Sequence, residues 1–263
     1  MKAPAAQRIV AIGGAITETL YALGQEQKIV GVDTTSLYPP HALRDKPNVG
    51  YFRAFSVEGV LSLKPTLVIA AESAGPPDSL KLLQDSKVAI ARLPDAFTAA
   101  GVEAKIKLIG HLAQADAAAA TLAETVSRGF SEVNARRAKV SGRTRVLFII
   151  AMQSGRPIVA GRSTAADAMI GLAGGLNVAA DFSGYKPMND ESILAAAPDV
   201  IVMMANGNRP SNAQIFQLPA FKATPAAAHQ RLVALDGLYL LGFGPRTPQA
   251  CEDLLSAFYP GVK

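Results

Sequence analysis

The sequence predicts an α/β protein: two lobes with parallel-rich sheets flanked by helices, joined by one long spine helix. Three observations carry this. Apolar runs of strand length alternate with segments of helical spacing. Residues 99–140 contain no proline and repeat their apolar residues at helical spacing. A phrase of the first half returns in the second. At 263 residues the chain is long for one small core, since domains run to roughly 100–200 residues. The lobes are assigned to residues 1–100 and 142–263, with the spine over 101–141.

Arg8-Ile9-Val10-Ala11-Ile12 reads as a strand, Gly13-Gly14 as a tight turn, and Thr17-Glu18-Thr19-Leu20-Tyr21-Ala22-Leu23 as a helix stopped by Gly24. Residues 29–32 are a second strand. Residues 58–63 have helical spacing, Pro65 ends them, and Leu67-Val68-Ile69-Ala70 is a buried strand, as is Val88-Ala89-Ile90-Ala91. Along the proline-free stretch Val102, Ile106, Ile109, Leu112, Leu122, Val126, Phe130 and Val133 recur at helical spacing. Rising about 1.5 Å per residue, one such helix crosses from lobe to lobe. As the only substantial connection it is a stiff hinge, which predicts small lobe movements. After Ser141-Gly142 the alternation resumes with Arg145-Val146-Leu147-Phe148-Ile149-Ile150.

The repeat is legible residue by residue. Val159-Ala160 and residues 164–172 lie over Val10-Ala11 and residues 15–23, with Asp167 on Glu18 and Leu172 on Leu23. Glu58-Gly59-Val60-Leu61-Ser62-Leu63-Lys64-Pro65-Thr66-Leu67-Val68-Ile69 matches Glu191-Ser192-Ile193-Leu194-Ala195-Ala196-Ala197-Pro198-Asp199-Val200-Ile201-Val202. Upstream of each copy stands a Gly-Tyr pair, Gly50-Tyr51 and Gly184-Tyr185, followed within two residues by Arg53 and Lys186. Lobes folded alike put these loops on opposite sides of one cleft, where small-molecule sites preferentially form.

Several function classes are disfavoured. No apolar run reaches the ~18–20 residues of a membrane span. Met1-Lys2-Ala3-Pro4 lacks the apolar core of a signal peptide, which reads as a mature chain whose leader, if there was one, is gone. A single cysteine, Cys251, excludes an internal disulfide framework and a cysteine-rich metal site, and is expected as a small buried residue on the last helix. The net charge of +5 favours anionic ligands, but the basic residues form no stripe interleaved with aromatics, so no nucleic acid is expected. His41, His111 and His229 stand far apart, and there is neither a Gly-x-Ser-x-Gly elbow nor a Gly-Lys-Ser/Thr loop, so no catalysis is expected. Gly13-Gly14 lacks the third glycine and a convincingly placed acid of a dinucleotide turn, although the helix N-terminus it opens is suited to an anionic group such as a propionate.

The stretch Val49-Gly50-Tyr51-Phe52-Arg53-Ala54-Phe55-Ser56-Val57-Glu58-Gly59-Val60-Leu61-Ser62-Leu63-Lys64-Pro65-Thr66-Leu67-Val68-Ile69-Ala70 resembles the haem-binding periplasmic proteins of haem ABC importers. Gly161-Arg162-Ser163-Thr164-Ala165-Ala166-Asp167 and Leu241-Gly242-Phe243-Gly244-Pro245-Arg246-Thr247-Pro248-Gln249-Ala250 also look like that family's, and the resemblance runs from about Arg8 to Phe258. It implies a periplasmic, monomeric carrier. Such a carrier captures haem (ferric protoporphyrin IX) in the cleft and delivers it to an inner-membrane ABC permease and its ATPase.

In that family the tyrosine of the Gly-Tyr-x-Arg phrase ligates ferric haem iron, and here it maps onto Tyr51. A phenolate is a hard anionic donor suited to Fe(III), and tyrosine is a known axial ligand of haem. A phenol otherwise keeps its proton to about pH 10, so the metal and a nearby guanidinium must favour the anion. Arg53 shares Tyr51's face if the stretch is extended, where it would donate a charge-assisted hydrogen bond. Tyr185, Lys186, Met188 and Arg209 are candidates for the distal face or the propionates. Arg209 is preferred because Asn206-Gly207-Asn208-Arg209-Pro210 is a polar loop after a buried strand, where parallel-sheet sites tend to occur. No histidine near Arg162 and Ser163 offers the second axial ligand that some members use.

In the larger group to which that family belongs, one exposed glutamate per lobe pairs with permease arginines. The duplicated phrase puts Glu58 and Glu191 in those positions, and two separated anchors read both lobes at once. Three alternatives stand beside this reading. A ferric-siderophore or cobalamin carrier is opposed by the absence of tryptophan for an aromatic cradle. An α/β metallo-oxidoreductase would keep metal or turnover without the Tyr51 hydroxyl. A sensory or adaptor module would dock a receptor instead of a permease.

Overall fold

The computed structural model describes residues 7–205 and 212–262. The chain forms two units, Met1–Ser127 with Phe243–Pro245, and Arg128–Gly242 with Arg246–Lys263.

The first unit contains β1 (Ile9–Ile12), α1 (Gly14–Ala22), β2 (Ile29–Val32), α2 (Ala42–Asp45), β3 (Gly50–Tyr51), β4 (Ala54–Phe55), α3 (Val57–Ser62), β5 (Leu67–Ala71), α4 (Pro77–Asp85), β6 (Ala89–Leu93) and α5 (Ala99–Leu112), after which α6 (Asp116–Arg137) begins. Its sheet has the order β2-β1-β5-β6, and every pairing is parallel. All of β1 and the first four residues of β5 are buried, which is why both read as unbroken apolar runs rather than alternating ones. β3 and β4 form a separate antiparallel hairpin, with Gly50 opposite Phe55 and Tyr51 opposite Ala54.

The second unit holds β7 (Arg145–Gln153), β8 (Arg156–Ala160), α7 (Ala165–Leu172), β9 (Leu176–Asn177), β10 (Tyr185–Pro187), α8 (Asp190–Ala196), β11 (Val200–Met204), α9 (Asn212–Gln217), α10 (Pro219–Lys222), α11 (Pro225–Ala228), β12 (Leu232–Leu235), α12 (Gly237–Leu241) and α13 (Thr247–Phe258). The sheet order is β10-β8-β7-β11-β12, with β9 beside the start of β7. The β7, β9, β11 and β12 pairings are parallel, whereas β8 runs antiparallel to β7 and β10. The fold is therefore α/β, in two parallel-rich sheets.

Strand pairing corrects one part of the repeat. β1 lies between β2 and β5, and β7 lies between β9 and β11 in the same parallel senses. Thus β7 holds β1's place, not the β8 that carries Val159-Ala160. β8 is the return arm of a hairpin closed by Ser154 (φ 50) and Gly155 (φ 77), a left-handed pair of the kind a two-residue hairpin turn requires.

The helix-proline-strand phrase is pinned the same way in both units. Arg8 donates Nε to Lys64 O at 3.0 Å and Nη2 to Leu63 O at 2.7 Å. Arg145 donates Nη2 to Ala196 O at 2.6 Å and Nε to Ala197 O at 3.3 Å. Each arginine thereby satisfies carbonyls that a helix C-terminus leaves open. The backbone N–H groups of Arg8 and Arg145 are accepted by Thr66 Oγ1 and Asp199 Oδ2, both at 2.9 Å.

The proline-free stretch is two helices instead of the one expected over 101–141. α5 ends at Leu112, Gln114 takes a left-handed φ of 56, and Ala115 N–H returns to Gly110 O at 2.7 Å. This is a glycine-type helix stop made without glycine. Packing explains the corner, since a Cβ on Gly110 would stand 2.1 Å from Ala119 Cβ. The division between the units falls within α6. That helix is also not the chain's only passage between them, because Phe243–Pro245 belong to the first unit. There Phe243 is fully buried, its ring 5.1 Å from that of Phe97, and its carbonyl accepts from Lys105 Nζ at 3.3 Å. Burial holds the Lys105 pKa below that of an ordinary lysine, against the opposing pull of Asp95.

Candidate ligand-binding site

The β3–β4 hairpin is set by burial on one side and glycine on the other. Val49 and Phe55 sink into the first unit's core with Val10, Val60 and Val68. Gly50 has φ 102, and a Cβ there would meet Ala54 O at 3.2 Å, so the turn into Tyr51 requires glycine. Backbone bonds sew the hairpin to its neighbours: Val49 N–H to Val32 O at 2.9 Å, Thr34 N–H to Gly50 O at 2.9 Å, and Gly75 N–H to Phe52 O at 3.0 Å.

This anchorage leaves Tyr51 at the surface of the first unit, 46% exposed, edge-on to Phe52 with ring centroids 4.8 Å apart. Its hydroxyl has no hydrogen-bond partner among the described residues. Arg53 departs from the extended geometry expected of it. Phe52 and Arg53 form the turn between the two strands, so period-two alternation does not apply. The guanidinium instead lies 5.0 Å over the Phe52 ring, a cation–π contact.

The Gly13-Gly14 turn is already occupied by protein. Asp33, wholly buried, accepts Gly13 N–H at 2.8 Å and Thr35 N–H and Oγ1–H at 2.9 and 2.6 Å. Thr35 Oγ1 accepts Gly14 N–H at 2.9 Å. An acid thus does follow the glycines, as in a dinucleotide fold, but it is spent on the turn, and the two glycine amides are not open to a propionate.

In the second unit Tyr185 opens β10 and is 39% exposed. Gly184, φ 79, accepts Gly161 N–H at 2.8 Å and donates to Arg162 O at 2.9 Å. Lys186 Nζ lies 5.4 Å over the Phe182 ring, so each Gly-Tyr loop carries a cation stacked on a phenylalanine. Met188 is half-buried and packs against the core around Ile193. Arg209 lies outside the described residues.

Glu58 and Glu191 occupy the same helical position. Ser56 caps α3 by accepting Gly59 N–H, Asn189 caps α8 by accepting Ser192 N–H, and each glutamate is second after its cap. Both are exposed, and neither makes an ion pair among the described residues. The histidines stay apart: His41 meets Tyr21 edge-on at 5.3 Å, and His111 Nδ1 lies 3.1 Å from Asp116 Oδ1, bracing the α5–α6 corner. Among the described residues no three His, Cys, Asp or Glu side chains gather as a metal group, and no helix is long and apolar enough to cross a membrane.

Two α/β units built on one plan, each presenting an exposed tyrosine, are the architecture of a ligand-binding protein. A family model described as periplasmic binding protein matches residues 9–238, and the chain belongs to that family, whose members bind substrates for transport. It is similar to the solved periplasmic heme-binding protein RhuT from Roseiflexus sp. RS-1 in apo form: 38% identical, TM-score 0.92, covering 98% of this chain and 100% of that one. It is 28% identical over 257 residues to the uncharacterized ABC transporter substrate-binding lipoprotein YvrC of Bacillus subtilis, covering 97% of this chain and 80% of that protein. It is also 28% identical over 261 residues to a cobalamin-binding protein of Halobacterium salinarum, covering 96% and 69%.

Proposed function

We propose that this protein is a haem carrier that works outside the inner membrane and supplies an ABC permease with its ATPase, with Tyr51 as the ligand to ferric iron. The observation that carries the reading is the Tyr51 hydroxyl, held at the surface by a hairpin anchored through buried Val49 and Phe55 and without a partner among the described residues. A hard anionic oxygen suits Fe(III), and an oxygen already committed to a protein partner would have to be released first. The similarity to the Roseiflexus haem-binding protein supports the same cargo.

Arg53 supplies positive charge beside the phenolate from its seat on Phe52. Tyr185 and Arg209 are assigned to the porphyrin's other contacts. Glu58 and Glu191, matched in position and without an ion pair among the described residues, are assigned to arginines of the permease.

Titration of hemin into the wild type and Tyr51→Phe, followed by visible spectra, tests this. A ferric-tyrosinate band in the wild type, lost in the variant together with at least a tenfold weaker affinity (about 1.4 kcal/mol), is the expected result. Identical curves would refute the ligand. The cobalamin-binding relative favours a second reading, a cobalamin carrier. Saturable binding of cyanocobalamin with no response to hemin would install it.

A further inference from the structure

The end of α6 and the loop leading to β7 read Arg136-Arg137-Ala138-Lys139-Val140-Ser141-Gly142-Arg143, with four cations and no acid. Beside this segment, within the second unit, lies a pocket of about 330 Å³ lined by Arg137, Val140, Gly142, Arg143, Gly174 and Tyr259. Its wall is fixed by Tyr259, whose hydroxyl accepts Thr144 N–H at 3.1 Å and donates to Gly174 O at 2.8 Å. Gly174 has φ 83, and a Cβ there would meet Arg137 Cγ at 3.0 Å, so glycine leaves the room in which the arginine stem lies.

The two arginines differ from their neighbour. Arg136 is neutralised by Glu252 and also donates to Ser256 Oγ at 2.8 Å and Val262 O at 2.9 Å. Arg137 gives one N–H to Gly171 O at 3.2 Å, and Arg143 gives one to Gly175 O at 2.7 Å. Neither has a carboxylate partner among the described residues, and no acid lines the pocket. One bond per guanidinium orients the fork and leaves its other N–H groups uncommitted. Both arginines are exposed, so solvent screens their mutual repulsion, and an anion bridging them would draw on both charges; the planar fork matches phosphate oxygens in pairs.

We infer that this pocket is a phosphate-binding site, independent of the haem proposal, that grips a phosphate group with Arg137 and Arg143. The chemistry is the same whether the group is free in solution or the headgroup of an anionic lipid. The simpler role, capping the carbonyls of Gly171 and Gly175, uses one N–H of each arginine and leaves the remaining N–H groups for a ligand.

Isothermal titration of inorganic phosphate at constant ionic strength, against chloride, tests the site. The expected result is saturable one-to-one binding, weakened at least tenfold in Arg137→Gln and in Arg143→Gln. Arg156→Gln, which removes the same charge from the β7–β8 hairpin, should bind as the wild type does. Arg143→Lys keeps the charge without the fork and should bind more weakly than the wild type. Unfolding midpoints establish that each variant is folded, and either single variant suffices if the other is not. Sedimentation with phosphatidylcholine vesicles, with and without phosphatidic acid, identifies the source. Phosphate binding with acid-dependent sedimentation indicates a lipid headgroup, and phosphate binding alone indicates a soluble phosphate. No phosphate binding by the wild type, or undiminished binding by both Gln variants, would overturn the site, whatever the vesicles do.

Discussion

Asp33 has no exposed surface, yet it accepts hydrogen bonds from the amides of Gly13 and Thr35 and from the hydroxyls of Thr35 and Ser36. Asp33→Ala leaves those buried donors without their acceptor, and the expected cost is about 3 kcal/mol. Urea unfolding should show it as a lower midpoint at unchanged slope; a loss under roughly 1 kcal/mol would mean the network is dispensable. Cys251 is equally enclosed, its Sγ 3.4 Å from Met169 Sδ. Burial first, and the Glu252 charge second, push its thiol up to about 12. An unfolded thiol ionises near pH ~8.5, so above that pH the unfolded chain gives up a proton that the folded chain keeps. The stability from the protonated thiol is fully present below about pH 8.5 and is lost as pH rises toward the folded value, by up to ~1.4 kcal/mol per unit. Cys251→Ala should flatten the stability profile between about pH 9 and 11; parallel profiles would contradict the assignment. The small buried cysteine was readable from its surroundings on an apolar helix, whereas the role of Asp33 was not, because its partners are turn amides.

Helix ends show which stops a sequence declares. Gly24, φ 67, ends α1 with Gln25 N–H returning to Leu20 O at 2.9 Å, and glycine announces it. Gln114 does the same for α5 and announces nothing, so α5 and α6 read as one helix. A side chain in the left-handed region costs about 1 kcal/mol, so Gln114→Gly should raise the melting temperature, while Gly110→Ala should lower it by forcing a Cβ against Ala119. Opposite signs in thermal unfolding would check the corner; equal signs would discredit it. The β7–β8 hairpin was declared by Ser154-Gly155 between two apolar runs, a signal that periodicity alone passes over. The face assigned to Arg53 failed for a related reason: Phe52-Arg53 is a turn, and side-chain alternation holds only along a strand.

At the scale of the molecule the two units repeat a plan down to the arginines that clasp each helix end. Glu58 and Glu191 stand second after their caps in both. If they contact a permease, the pair Glu58→Lys and Glu191→Lys should abolish uptake in cells while hemin titrations stay unchanged. Exposed residues carry little of the fold's stability, so the unfolding midpoint should hardly move. Uptake that survives charge reversal would leave these glutamates as ordinary first-turn carboxylates.

The sequence by itself determined the α/β class, the buried strands β1 and β5, the helix-proline-strand repeat and the Gly-Tyr phrases, because each is written in local spacing and in residues with special backbone freedom; β6, expected to be buried over residues 88–91, is an edge strand with only Leu93 buried. Only the tertiary structure decided that β7 stands in β1's place, that α5 and α6 meet at a corner, that Arg53 stacks on Phe52, and that Arg137 and Arg143 line one pocket. Those facts depend on which distant segments come into contact. Contact is settled by packing volume and by the pairing of buried polar groups across the fold, and one-dimensional periodicity does not record either.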